Sequence, residues 1–257
     1  MSKAFYCELP TRGLIHIEGE DRLEFLQGLV SNDVQKLEFE KILYACLFTP
    51  HGKYLHDFFM LWGDDFILID CEGGERCEDL YTRLNRYRLR SKVTLSFELH
   101  NKVYACWNSE HGLRDPRHES LGNRTFEKPG SEEKPFEYWD DIRIKACTPD
   151  GTRDMIPEKS LPLDYRLDQL NALDWDKGCY MGQELNARMH HRHLGKKHLQ
   201  ALEFDETLPE PFSDLIFDDK KIGQMHTSYG TIGLALIRDE YLDDIQTGKY
   251  PLRLLGQ

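Results

Sequence analysis

Apolar and polar residues alternate over 13–19, which predicts a strand with one buried face. Glu20 and Asp21 follow, and Leu23, Leu26, Leu29 and Val30 then recur at helical spacing, so a short helix capped by those acids is expected. A strand is read over 41–49, and 53–62 and 66–71 flank Gly63-Asp64-Asp65 as a hairpin. Between 74 and 90 the residues Cys77, Leu80, Leu84 and Tyr87 repeat at three and four, the stripe of an amphipathic helix. Its last turns hold Arg83, Arg86, Arg88 and Arg90, where a helix dipole favours cations. Strands near 92–99 and 102–107 are expected around a turn at His100-Asn101. Residues 108–136 are polar with few apolar anchors and read as a long connection. Leu163, Leu167, Leu170 and Leu173 suggest another helix. From about 199 the chain breaks into short strands (199–204, 214–217, 222–227, 231–237, 251–255), the pattern of a small barrel or sheet domain.

Composition narrows the choices. The 257 residues are 30% charged and 40% hydrophobic, which describes a globular chain with a proper core. A formal net charge of -12 argues against direct nucleic-acid binding, because phosphates are repelled at long range. No apolar run approaches the roughly 20 residues of a membrane span. The opening residues run straight into a strand-like stretch, which suits a bacterial cytoplasm, or the mitochondrial matrix after processing. Seven cysteines lie scattered with no C-x-x-C pair, so neither a disulfide framework nor a metal site is expected. Six of them are read as core fillers.

The exception is Cys179, in Lys177-Gly178-Cys179-Tyr180-Met181-Gly182-Gln183-Glu184. Two glycines four apart permit positive φ and a close approach to the backbone. A helix is expected over 183–191 with Leu185 and Met189 on one face. A thiol near Lys177 and just before that helix is expected to gain thiolate character, and Glu184 can accept hydrogen bonds from a heterocycle. A tight turn with a merely packed cysteine is the plainer alternative. The tract Arg188-Met189-His190-His191-Arg192-His193-Leu194-Gly195-Lys196-Lys197-His198 is a concentration of positive charge in an acidic chain. It reads either as a solvated face or as an anion site. Neither a Gly-x-x-x-x-Gly-Lys-Ser/Thr loop nor a Gly-x-Gly-x-x-Gly turn is present.

Lys-Gly-Cys-Tyr-x-Gly-Gln-Glu followed by Ala187-Arg188 resembles the signature of the YgfZ family. Other blocks agree in order: Gly19-x-Asp21-x-x-x-Phe25-Leu26-Gln27-Gly28-x-x-x-Asn32-Asp33, then Phe48-x-Pro50-x-Gly52-Lys53 with Asp57-Phe58. Asp115-Pro116-Arg117 with Leu121-Gly122-x-Arg124, and Gly233-Leu234-Ala235-Leu236-Ile237-Arg238, continue the likeness. The resemblance implies an α+β fold shared with the glycine-cleavage T-protein (an aminomethyltransferase). Two interleaved α+β units (1–197) and a C-terminal β-barrel (198–257) surround a central hole for tetrahydrofolate or a one-carbon-substituted folate. It further implies a folate-dependent factor that helps assemble or repair iron–sulfur enzymes, tRNA-modifying ones included, with iron–sulfur client or assembly proteins as partners. On this reading Cys179 is the reactive residue. Lys177, Gly178, Tyr180, Gly182, Gln183, Glu184 and Arg188 surround the folate from one side, and Asn32, Asp33, Gly52, Lys53 and Asp57 from the other. The folate's carboxylate tail is expected at the 188–198 tract, or less readily at the arginines of 83–90.

Two departures matter. T-proteins carry paired aspartates where this chain reads His56-Asp57, and they lack the cysteine motif, which argues against a classical aminomethyltransferase. Pro162-Leu163-Asp164-Tyr165-Arg166-Leu167 stands where YgfZ relatives have proline–x–glutamate–x–asparagine–leucine. Two further readings remain: a one-carbon transferase or demethylase on a small amine with Asp57 as base, and an interaction protein that keeps the folate hole unused.

Overall fold

The computed structural model describes residues 3–98, 101–205 and 208–255, whose strands form three five-stranded sheets. Strand β1 (Phe5–Glu8) opens the first sheet, and the chain at once leaves it. β2 (Arg12–Glu18), β3 (Ile42–Phe48), β4 (Tyr54–Trp62), β5 (Phe66–Glu72) and β6 (Thr94–Glu98) build the second sheet, in the order β3-β4-β5-β2-β6. The chain then returns through β7 (Tyr104–Trp107), β8 (Leu113–Arg114), β9 (Asn123–Thr125) and β10 (Glu132–Lys134) to complete the first, ordered β10-β1-β7-β9-β8. β11 (Lys197–Phe204), β12 (Asp214–Phe217), β13 (Lys220–Tyr229), β14 (Ile232–Arg238) and β15 (Leu252–Leu254) make the third, ordered β12-β13-β14-β11-β15. The first two units are therefore interleaved, and the α+β expectation holds.

The second sheet is covered on both faces, which explains why β3 is apolar throughout and wholly buried. Leu43, Ala45, Leu47, Phe58 and Met60 point to one side. There they meet Phe25 and Leu26 of α1 (Arg22–Gln27), Leu37 of α2 (Leu37–Glu40), and Cys77, Leu80 and Leu84 of α3 (Glu75–Tyr87). Tyr44, Cys46, Phe48, Phe59 and Leu61 point to the other. That core extends through Trp139 and Ile144 of α4 (Phe136–Lys145) to Leu199, Ala201, Leu234 and Leu236 of the third sheet. The opposite face of the third sheet packs its own cluster with Ile245. The helix order is completed by α5 (Gln183–Arg192) and α6 (Leu242–Gln246).

Several expectations are corrected. Asp21 makes no capping bond to α1; its carboxylate accepts from the Lys92 backbone N–H at 2.7 Å. Tyr87 lies on the exposed side of α3. The strands on either side of 100 do not form a hairpin: β6 pairs with β2 and β7 with β1, in different sheets, while His100 itself lies outside the described residues. The polar stretch 108–136 holds three short strands rather than an open connection. Leu163, Leu167, Leu170 and Leu173 are all buried, but only 162–165 winds, as a 3-10 turn. Arg166 and Asn171 take left-handed conformations that end any helix.

Candidate functional site

Cys179 is exposed, whereas five of the other cysteines are buried and Cys147 is half-buried. The residues before and after it are firmly held. Lys177 turns inward and its Nζ donates to three carbonyls, those of Gln27 (2.9 Å), Val30 (2.7 Å) and Asn32 (2.7 Å). Burial brings its ammonium down to about 8, against the pull of Asp33 and Asp174. Lys177 is thus the tie between the cysteine loop and the chain after α1, rather than a cation facing the thiol.

The glycines are explained by backbone contact. Gly182 and Gly52 both have positive φ (80° and 74°), and a Cβ on Gly182 would stand 2.5 Å from the Thr49 carbonyl oxygen. A Cβ on Gly52 would stand 2.7 Å from the Gly182 carbonyl oxygen. The turn at 49–53 and the start of α5 therefore pack main chain against main chain. Asn186, fully buried, donates to the Gly182 carbonyl at 3.2 Å and the Gly52 carbonyl at 3.4 Å. Two motifs separated by more than a hundred residues are one physical unit, and Asn186, which nothing in the spacing flagged, is its rivet. Met181 joins from the other side through its N–H to the Gly28 carbonyl at 3.2 Å.

The remaining predicted residues divide. Gly178 is exposed with open space around it, and Glu184 is exposed and paired with Arg188 at 2.7 Å. Gln183 is half-buried, and Tyr180 is buried against Phe48 with its hydroxyl unpartnered. Asn32 donates to the carbonyls of Tyr44 (2.8 Å) and Asn171 (2.9 Å). Asp33 caps the 3-10 turn 34–36, accepting from the Gln35 N–H, and its side chain also accepts from Gln27 at 2.9 Å. Lys53 is half-buried, its backbone N–H held by the Thr49 hydroxyl. The basic tract is dispersed: His190 stacks on Trp175 at 4.1 Å, Lys197 stands 3.5 Å from Asp164, and His198 bonds Asp239 at 2.8 Å.

The Asp57 carboxylate is bonded to residues outside the cysteine loop. A β-bulge explains its company: Leu47 pairs with His56 but Phe48 with Tyr54, leaving Leu55 as the extra residue. The bulge brings Tyr54 onto the same face as Asp57, and the hydroxyls of Tyr54 (2.7 Å) and Tyr44 (2.9 Å) donate to its two oxygens. His56 points the opposite way, between Arg76 (3.0 Å) and Asp79 (2.8 Å) of α3. Burial and the Arg76 charge lower its imidazole to about 4. Of the arginines at 83–90, Arg83 pairs with Asp79 on that same far face, at 2.8 Å. Beside Asp57 the inner core carries paired charges, with Asp70 holding Arg12 at 2.6 Å and also Arg124. Arg124 lies 3.9 Å from the centre of the Phe59 ring.

A groove of about 490 Å³ opens next to Asn32, walled by Lys36, Glu40, Tyr44, Asn171 and Trp175. Tyr44 thereby connects the groove to Asp57, and Trp175-Asp176 connect it to the cysteine loop three residues on. Trp175 escaped the sequence reading, although an aromatic directly before the Lys177 motif was its available signal.

The geometry has a close counterpart. The glycine cleavage system aminomethyltransferase T from Bartonella henselae superposes with a TM-score of 0.73 at 14% identity, covering 94% of this chain and 80% of that one. The fold is GcvT-like. Residues 196–255 match the family described as CAF17, C-terminal beta-barrel domain, so a CAF17-type barrel completes the GcvT-like fold. In sequence the chain is 32% identical over 232 residues to the iron–sulfur cluster assembly factor IBA57 homolog, mitochondrial, of Mycosarcoma maydis, covering 77% of this chain and 57% of that protein. It is 27% identical over 282 residues to human iron–sulfur cluster assembly factor IBA57, mitochondrial, covering 92% and 78%. The chain spans little more than half of two fungal relatives, 57% of the Mycosarcoma protein and 53% of that of Neurospora crassa. These relatives carry the IBA57 name, not that of YgfZ. Among the described residues no helix is long and apolar enough to cross a membrane.

Proposed function

We propose that this GcvT-like chain is a tetrahydrofolate-binding accessory factor for assembly or repair of iron–sulfur enzymes, including tRNA-modifying ones, with Cys179 as its working thiol. The observation that carries the reading is the exposure of Cys179 at the tip of a loop anchored beneath by Lys177, Gly52, Gly182 and Asn186. A packed cysteine needs no such display. One thiolate does not hold a cluster, since four are the usual complement, so the remaining ligands come from a client or assembly protein. The names of the mitochondrial relatives support that role, and either a mitochondrial matrix or a bacterial cytoplasm accommodates it.

The residues at the Asn32 groove fit a folate. Its volume lies in the range of small-molecule sites. Glu40 supplies a carboxylate acceptor for the N–H groups of a pterin, and Trp175 supplies an aromatic wall. Bound there, tetrahydrofolate or its one-carbon form would supply one-carbon or reducing chemistry, with Trp175 facing the ring. A one-carbon transferase with Asp57 as base is less well supported, because Asp57 is buried and both its oxygens are occupied by tyrosine hydroxyls.

The test is Cys179→Ser in a strain lacking the protein, read as activity of iron–sulfur enzymes, beside tetrahydrofolate binding in vitro. The expected result is normal folate binding with cluster enzymes still deficient. Full rescue by the serine variant would make Cys179 dispensable and end this reading.

A further inference from the structure

A cleft of about 250 Å³ lies where the C-terminal end of α4, the turn after Tyr165 and strand β11 meet. Arg117, His118, Lys145, Arg166, Gln169 and Gln200 are among its walls, and among the described residues no carboxylate is. In a chain with a net charge of -12, an acid-free cleft with three cationic side chains runs against the average field.

Two of those charges are already answered. Arg117 is bidentate with Asp115, Nε to Oδ1 at 3.0 Å and Nη2 to Oδ2 at 2.8 Å, and Lys145 pairs with Asp141 at 2.7 Å on the surface. Arg166 has no carboxylate partner among the described residues. Its Nη2 donates to the Gln200 amide oxygen at 2.9 Å, and its Nε is buried without a partner. Gln200, itself buried, fixes where the guanidinium points. The backbone of Arg166 adds a second argument. Its φ is 57°, a left-handed conformation that costs arginine more than it would asparagine. Arg166 thus lines the cleft in a disfavoured backbone conformation with no carboxylate to answer its charge among the described residues.

We propose that this cleft binds a small oxyanion, a carboxylate or phosphate group, with Arg166 as the anchoring cation and Lys145 assisting. A guanidinium presents paired N–H donors to either group. The volume suits the charged end of a molecule rather than a whole cofactor. Two sources offer that chemistry: the glutamate tail of a folate, which rests on the function proposed above, and a phosphate ester, which does not.

The test titrates inorganic phosphate and tri-γ-glutamate separately into the full chain by calorimetry at low ionic strength, with Arg166→Asn and Lys145→Gln as variants. Asparagine tolerates the left-handed backbone, so Arg166→Asn is expected to fold, and Lys145→Gln alters only an exposed side chain. Wild type should bind saturably, Arg166→Asn about tenfold or more weakly, and Lys145→Gln about threefold more weakly. Equal affinity in wild type and Arg166→Asn, or no saturable binding of either probe by wild type, overturns the proposal. Tetrahydrofolate monoglutamate and pentaglutamate then separate the sources. A preference for the longer tail that disappears in Arg166→Asn assigns the cleft to the tail. Equal affinities, with phosphate binding still dependent on Arg166, assign it to a phosphate ester. If neither folate binds while phosphate does, the folate reading fails and the cleft stands.

Discussion

Lys177 and Cys179 stand two residues apart, and their side chains do opposite work. Replacing Lys177 by Met would leave the carbonyls of Gln27, Val30 and Asn32 without their shared donor, two of those bonds being buried. The expected cost is about 2–4 kcal/mol of unfolding free energy, since each buried acceptor left unmade is penalised. Cys179→Ser, by contrast, changes an exposed side chain and should shift stability by less than about 0.5 kcal/mol. Urea unfolding of the two variants checks both values, and a comparable loss in each would contradict the anchoring described here. The motif was legible as a string of residues. What the string did not convey is that most of it holds the loop in place, because a lysine facing inward and one facing outward leave the same letter.

At the scale of elements, the bulge at Leu55 decides which side chains share a face with Asp57. Tyr54→Phe removes one of two hydroxyls from a buried carboxylate, so a loss of about 1–3 kcal/mol is expected in equilibrium unfolding. An unchanged midpoint would mean that Asp57 is satisfied without it. Strands with simple alternation, and α3 with its apolar stripe, were readable in advance. Helix α4 was not, because its buried face contains Asp140 and Arg143 beside Trp139 and Ile144. Arg143 pairs with Asp140 (2.6 Å) and Asp154 (2.8 Å), and paired charges can lie inside while a hydrophobicity pattern counts them as outside. The leucines at 163, 167, 170 and 173 erred in the other direction. Successive tight turns bury residues three and four apart as well as a helix does.

For the whole molecule, acid is the expected weakness. His56 and His226 are both buried, and burial lowers each imidazole from 6.5 to about 4. Between those values the unfolded chain holds more protons than the folded one, so stability is full above pH 6.5 and is lost as pH falls toward 4. Each residue can contribute up to about 3 kcal/mol of that loss. His226 is enclosed by the rings of Tyr165 and Phe212, and its Nδ1 has no partner. His226→Phe should therefore flatten the acid limb of thermal stability measured by calorimetry from pH 7 to 4. A curve parallel to wild type would place the acid sensitivity in other groups.

The first sheet also imposes an order of events on synthesis. During synthesis β1 precedes its neighbours β7 and β10 by roughly a hundred residues or more, a wait of about 5–20 s or longer at ordinary elongation rates. Through that interval the second sheet gains its strands one by one, β6 last and just before β7, while β1 trails from it as an unpaired ribbon. The nascent chain thus carries an open edge, a place for a chaperone to hold or for another chain to pair wrongly.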